Sequence, residues 1–150
     1  MNEIQNMKFV NVCYPQLKDN GDLADVTYVD TAGWGHVRFL FVIGNLDAAL
    51  GSTAEGTAPL VEECDTTGGS YTAVTGAALA DAIGATEDGD MFAIDIDLKN
   101  KSHKRYMQVQ APHAGDGTNG VNAAIVAILS NPDVAPTTAA LRGLAENIIT

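Results

Sequence analysis

Residues 36–43 constrain the fold of this chain more than any other segment, because they are apolar on both sides when extended. Successive residues of a β-strand point to opposite faces. One face of this segment would carry Val37, Phe39, Phe41 and Ile43. On the other face, Leu40 and Val42 are apolar too. A strand of this kind lies in the centre of a sheet or is covered on both faces, so we expect the domain to be built around it.

Alternating apolar and polar residues recur in shorter runs separated by turn residues, a pattern typical of antiparallel sheets. These runs predict further strands at residues 8–14, 24–31, 57–64, 71–74, 91–98 and 104–110. The first two resemble edge strands. Pro59 restricts the third to an edge or a strand start, because proline cannot donate a hydrogen bond to the sheet. The last two are predicted to pair as a hairpin.

Four other segments have a less regular pattern. Residues 44–56 are rich in glycine and small polar residues, which predicts a long surface loop. Residues 76–85 fit a short helix or a loop, and residues 121–129 fit a strand or a buried helical segment. Residues 137–149 carry apolar residues at helical spacing, which predicts a short terminal helix or a docking arm.

The expected fold is therefore all-β. We predict an antiparallel, jelly-roll-like β-sandwich over residues 1–130 and a C-terminal helix or docking arm over residues 131–150. Strands that follow one another every 10 to 15 residues or so, about the spacing of a sandwich, are typical of this class. A chain of 150 residues with 46% hydrophobic residues fits one domain with a packed core.

Eight basic residues against 19 acidic ones give the chain a formal net charge of −11. A field of this sign repels nucleic-acid backbones and anionic lipid surfaces, so neither nucleic acid nor membrane is an expected partner. No basic leader and no apolar stretch near the roughly 18 residues that span a bilayer is visible, and we expect synthesis in a reducing cytoplasm. Cys13 and Cys64 lack CxxC spacing, which indicates neither zinc nor a disulfide scaffold and leaves a single disulfide open.

Residues with catalytic or metal-binding chemistry do not form a recognised local pattern. The three histidines are not spaced as zinc ligands, and no serine has the GxSxG context of a nucleophile. Asp95 and Asp97 project from one strand face, as candidates for a calcium site or as the solvated face of an amphipathic strand. We therefore expect that the protein is not an enzyme and has no cofactor. Catalysis would require residues that are distant in the sequence and that only folding brings together.

Two further features are candidate contact sites. Half of all positive charge is supplied by Lys99, Lys101, Lys104 and Arg105. This group is either a solvated turn or a contact surface for a negatively charged partner. Trp34 lies between two glycines just before residues 36–43 and is expected to pack over the end of the core. An aromatic residue in this place also suits a platform for sugar stacking.

Several segments together resemble small virion proteins of tailed bacteriophages. They are TAGWGHVRFLFVIG at residues 31–44, LVEECDTTGGSYTAV at 60–74, IDIDL at 94–98 and KRYMQV at 104–109. The resemblance is to capsid decoration and related head proteins with β-sandwich folds, and it covers residues 28–130. It implies an architecture and no active-site residues. Residues 44–56 and the C-terminal segment have no counterpart in it.

The resemblance implies a capsid decoration, or cement, protein that binds the major capsid protein on the outside of an assembled head and bridges its capsomers, with a homotrimer favoured. Such a protein is made in the host cytoplasm and ends in the virion. A head–tail connector or a tail component is an alternative of the same structural class. A carbohydrate-binding module with Trp34 as its platform is an alternative of another class, and a metal-assisted enzyme that uses Asp95 ranks last.

Overall fold

The computed structural model describes residues 3–51, 58–146 and 148. Within these residues the chain forms eight β-strands and two short 3-10 helices, Glu3–Asn6 and Ala140–Arg142. The strands are β1 Lys8–Lys18, β2 Val29–Asp30, β3 Trp34–Leu46, β4 Leu60–Cys64, β5 Thr72–Ala78, β6 Met91–Asp97, β7 Tyr106–Val109 and β8 Val121–Pro132. No helix in this part of the chain is long and apolar enough to cross a membrane.

The strands form two antiparallel sheets of four strands each, in the orders β1-β8-β3-β6 and β2-β7-β4-β5. In these orders β1 pairs with β8, β2 with β7, β3 with β6 and β4 with β5. The chain is therefore one long hairpin rolled into two packed sheets, which is the arrangement of a jelly roll. The predicted all-β sandwich is confirmed.

β3 lies inside the first sheet, where it pairs with β8 on one side and β6 on the other. Its inward side chains Val37, Phe39 and Phe41 are fully buried, so the predicted central strand is confirmed. β8, which the sequence left open between strand and helix, is a strand whose side chains alternate between the core and the outer face. It ends at Pro132, just past the predicted domain boundary.

The hydrophobic core fills the space between the two sheets. Both sheets contribute large buried side chains to one cluster, among them Phe39, Phe41, Val61, Met107, Ile125 and Leu129. Removing a side chain of this size from water stabilises the fold by about 1.5–3 kcal/mol. Cys13 and Cys64 are buried free thiols, one in each sheet, so the disulfide that the sequence left open is not formed.

The predicted hairpin of residues 91–98 and 104–110 is wrong. β6 pairs with β3 in the first sheet, while β7 lies between β2 and β4 in the second. Residues 98–105 connect the two sheets and are long enough for the roughly 10 Å between packed sheets. Each strand thus buries its apolar face against the opposite sheet, although the two strands are neighbours along the chain.

Residues 44–51 are more buried than the surface loop that the sequence predicts. β3 extends to Leu46, and Leu50 is fully buried. The backbone of Leu50 exchanges two hydrogen bonds of 2.9 Å with Ile83, because these two apolar residues pack into the core among small polar neighbours. After β5 the chain therefore continues as a loop toward Ile83 and not as a helix. Residues 52–57 of the predicted surface loop lie outside the described residues.

The C-terminal segment is an arm with one 3-10 turn, Ala140–Arg142. Arg142 is buried, and its Nε donates a 3.0 Å hydrogen bond to the carbonyl oxygen of Gln5. Leu141 and Ile148, two apolar residues of the predicted helical pattern, are exposed. The hydrogen bond of Arg142 thus attaches this arm to the domain. The helical pattern predicts instead that apolar side chains make this contact. Residues 147, 149 and 150 lie outside the description.

Two glycines of the β7–β8 connection provide a matched test of how tightly it packs. Gly115 and Gly117 both have left-handed φ angles, +78° and +87°. A Cβ on Gly115 would overlap the carbonyl oxygen of Asp19, whereas one on Gly117 meets no atom within 4 Å. Left-handed backbone costs alanine about 1–2 kcal/mol, and overpacking costs about 1–3 kcal/mol more.

We therefore expect Gly115→Ala to lower the free energy of unfolding by about 2–5 kcal/mol and Gly117→Ala by about 1–2 kcal/mol. Urea denaturation of the two variants measures both values. Equal losses would show that the close approach to Asp19 does not exist in solution.

Candidate functional site

Asp95 and Asp97 lie on the outer side of β6, where protein groups already engage them. The Arg38 guanidinium donates to both oxygens of Asp95, at 2.8 and 3.0 Å. Asp97 accepts the backbone N–H groups of Lys99, at 2.9 Å, and Asn100, at 3.2 Å. The Arg38 hydrogen bond lowers the pKa of Asp95, and chiefly the Lys99 N–H lowers that of Asp97. The described residues contain no group of three or more His, Cys, Asp or Glu that could hold a metal.

The basic cluster consists of Lys99, Lys101, Lys104 and Arg105 in the β6–β7 connection. Arg105 donates to both oxygens of Asp30, at 2.9 and 2.7 Å. Lys99 Nζ lies 3.4 Å from Asp133 Oδ1. Half of the cluster therefore bridges to acidic residues of other elements, while Lys101 borders a cavity between β5 and β6.

Glu63 fastens the same connection to the second sheet. Its Oε2 accepts the backbone N–H of Lys104 at 3.1 Å and lies 2.9 Å from His103 Nδ1. The side chains of His103 and Glu63 are only 9% and 16% exposed. The other ring nitrogen of His103 is buried and has no hydrogen-bond partner among the described residues. One half-buried carboxylate thus holds two groups of the β6–β7 connection.

Trp34 opens β3 and is half-buried against the hydrophobic core. Its backbone N–H donates to the carbonyl oxygen of Thr31 at 3.1 Å, which closes the turn before the strand. A pair of aromatic rings, exposed Tyr28 and half-buried Tyr106, lies elsewhere, on the outer side of the second sheet. There Tyr28 meets the ring of Tyr106 edge-on, with centroids 5.5 Å apart, and Arg105 lies 5.1 Å from the Tyr106 centroid. A sugar-binding role of Trp34 stays a prediction.

Ser130, His36 and Asp95 form a row of polar contacts across three adjacent strands of the first sheet. Ser130 Oγ lies 3.3 Å from His36 Nδ1, and His36 Nε2 lies 3.1 Å from Asp95 Oδ1. The register of the sheet creates this row, because His36 is directly opposite Ser130 and Arg38 is directly opposite Asp95. Sequence reasoning missed it, since the residues are far apart in the chain and share no motif.

A cavity of about 460 Å³ borders Ser130. It lies between the N-terminal 3-10 helix and the end of β8, and its wall includes Glu3, Asn6, Met7, Asn131 and Pro132. The carbonyl oxygen of the Asn6 side chain is buried without a partner among the described residues. The volume of the cavity is within the range of small-molecule sites.

The edge strands of both sheets carry features that oppose pairing with another chain. β1 contains Pro15 and two register shifts, and β6 points Asp95 and Asp97 outward. β2 has only two residues, shorter than predicted. The β4–β5 pair has a register shift near Gly76, whose φ is +80°. Proline, charge, bulges and short length all keep sheet edges from recruiting strands, so association is expected through a face.

One part of the outer face of the first sheet is apolar, although the exposed face of an antiparallel sheet is normally polar. Val42 pairs across the strands with Met91 and Ala124, and the side chains of Val42 and Met91 are 39% and 66% exposed. We define the apolar outer face as Leu40, Val42, Met91, Ala93, Ala124, Val126 and Ile128. Leu40 and Val42 are the residues that made residues 36–43 apolar on both sides.

Comparison of the chain with protein-family models, with curated proteins and with solved structures gives no match. The resemblance to phage head proteins therefore stays a prediction from the quoted segments. What the chain does must be argued from its own surfaces and side chains.

Substitution of two adjacent glutamates of β4 tests whether Glu63 stabilises the β6–β7 connection. Glu63→Ala leaves the Lys104 N–H and the His103 ring without their acceptor, and a buried group without a partner costs about 1–3 kcal/mol. We expect a loss of about 2–4 kcal/mol in the free energy of unfolding. Glu62→Ala is the control, because Glu62 has only a 3.4 Å contact with Gln108. A loss in the control as large as in Glu63→Ala would contradict the fastening.

The ion pair of Asp30 with Arg105 is expected to make the stability of the fold depend on acidic pH. The hydrogen bond from Arg105 lowers the pKa of Asp30 in the folded chain, so the stabilisation is complete above the unfolded pKa of about 3.9 and is lost as the pH falls below it. We expect Asp30→Asn to be less stable than the wild type at pH 6, and the difference to shrink between pH 4 and pH 2. Thermal unfolding of both proteins across this range measures it. A difference that is constant with pH would rule out the carboxylate as its cause.

Proposed function

We propose that the chain is a capsid decoration, or cement, protein that binds the major capsid protein on the outside of a tailed-phage head. The observation that carries this proposal is the apolar outer face, on a chain whose net charge is −11. The main exposed apolar patch of a monomeric protein is often functional, and in this patch Val42 and Met91 are exposed. The jelly roll adds support, because viral capsid proteins are among those that use it, together with lectins and cupins.

The size of the apolar outer face favours a large repeating partner over a permanent pair of chains. Its seven residues, about 4.8 Å apart between strands and about 7 Å apart along each strand, cover an area of roughly 230 Å². A stable pair of proteins buries about 800 Å² on each partner. Weak contacts that are linked gain strength through their effective concentration. A homotrimer that docks three such faces on one shell would gain in this way.

Charge supports a position on the outside of the particle. The net charge of −11 disfavours contact with packaged nucleic acid. A protein that binds assembled capsomers but not separated ones stabilises the shell by mass action. It is made in the host cytoplasm and joins the finished head. A head–tail connector or tail component would use the same face at far fewer positions.

The two most exposed members of the apolar outer face provide the test. Val42→Thr with Met91→Gln keeps the size of both side chains and removes their apolar surface. Each apolar side chain that a partner buries contributes about 1.5 kcal/mol or more, so we expect at least a tenfold loss, about 1.4 kcal/mol, in affinity for heads that lack the protein. Co-sedimentation with such heads measures the affinity.

Val134→Thr is the matched control, because Val134 is 83% exposed and lies outside the apolar outer face. We expect this variant to bind like the wild type. Wild-type binding by the Val42 and Met91 double variant would refute docking through this face, and failure of the wild-type protein to bind heads would refute the decoration function.

A further inference from the structure

We propose that Ser130, His36 and Asp95 form a hydrolytic site for small neutral carboxylic esters, with Ser130 as nucleophile, His36 as its base and Asp95 as a positioning residue. The proposal does not depend on the decoration function. It rests on the contacts of the row, which link a hydroxyl to an imidazole and the imidazole to a carboxylate at 3.3 and 3.1 Å. Nucleophile, base and orienting group within reach of one another define such a site on any fold.

One tautomer of His36 satisfies both contacts. With the proton on Nε2, this nitrogen faces Asp95 Oδ1 at 3.1 Å, and the lone pair of Nδ1 accepts the hydroxyl proton of Ser130. The two ring nitrogens exchange the roles that they have in the best-known triad. Arg38 holds Asp95 through both carboxylate oxygens. This contact keeps the carboxylate ionised and its orientation fixed.

The cavity provides a place for the substrate beside the nucleophile. Ser130 lines its wall together with Asn6 and Asn131. Asn131 follows Ser130 directly and has a left-handed φ of +55°, and strained backbone of this kind concentrates at active sites. Asn6 and Asn131 belong to the wall of the cavity, and the side-chain amide of asparagine is a donor that stabilises a developing oxyanion. His36 is 34% exposed, so water reaches the base.

The reaction follows from these positions. As Ser130 Oγ bonds to the ester carbonyl carbon, its proton passes to His36 Nδ1. The carbon–oxygen bond to the alcohol then breaks, and the alcohol leaves with the proton from His36. Water repeats the sequence on the acyl-serine: His36 accepts its proton, the carboxylic acid is released and Ser130 regains its proton. No cofactor enters the balance.

The wall of the cavity and the charge of the chain select the substrate. Met7 and Pro132 offer apolar surface for a short acyl chain. Glu3 in the same wall, with a net charge of −11 overall, disfavours anionic substrates. A volume of about 460 Å³ is within the range of small-molecule sites. Short neutral esters fit these conditions.

Two measurements on the isolated protein test the proposal. A fluorophosphonate probe should modify Ser130, identified by peptide mass spectrometry, and p-nitrophenyl acetate and butyrate should be hydrolysed. We expect Ser130→Ala and His36→Gln to lower kcat/KM by about 100-fold or more. Asp95→Asn should lower kcat and alter the pH profile. Ser102→Ala and His113→Gln, which change a serine and a histidine outside the row, should leave both readouts unchanged.

Hydrolysis that persists in Ser130→Ala would come from histidine alone and would overturn the proposal. Probe labelling at any other serine, or none at Ser130 in a protein with the wild-type urea midpoint, would overturn it as well. Loss of head binding in the Val42 and Met91 double variant has no bearing on these readouts, so the two proposals fail separately.

Discussion

Packing of the inward side of β3 between the two sheets is the interaction on which the rest of the structure depends. Val37, Phe39 and Phe41 are fully buried there, and β3 pairs along much of its length with both β8 and β6. Once the register of these three strands is set, the alternation of side chains along each strand determines which residues point to the outer face. The apolar outer face and the row of Ser130, His36 and Asp95 are both consequences of that one register.

The sequence predicts elements well where alternation is strong, and pairing poorly. Apolar and polar residues alternate regularly in residues 91–98. Because successive side chains of a β-strand point to opposite faces, this alternation identifies the inward and the outward side of the strand. The partner of β6 is not evident, since a jelly roll pairs strands from distant parts of the chain. The connection after β3 is long and rich in small residues, which predicts a surface loop. It nevertheless contributes to the core, because Leu50 is buried and pairs with the buried Ile83.

Functional residues follow the same division. The outward position of Asp95 is predictable, but its contacts with Arg38 and His36 depend on register. The basic cluster is evident in the sequence, whereas the carboxylates that neutralise Lys99 and Arg105 come from Asp133 and Asp30, on other elements. Pairings of this kind are long-range, and no local pattern encodes them. The sequence therefore indicates which chemistry is present but not which groups meet.

The central claim is that the apolar outer face of the first sheet is covered by a capsid shell. Electron microscopy of purified virions from the source of the chain tests it most directly. The account predicts on the order of hundreds of copies on the head, related by its symmetry, with β3, β6 and β8 against the shell and Tyr28 and Tyr106 facing solvent. Particles without the protein, a single ring of about twelve copies at one vertex, or the second sheet against the shell would contradict it.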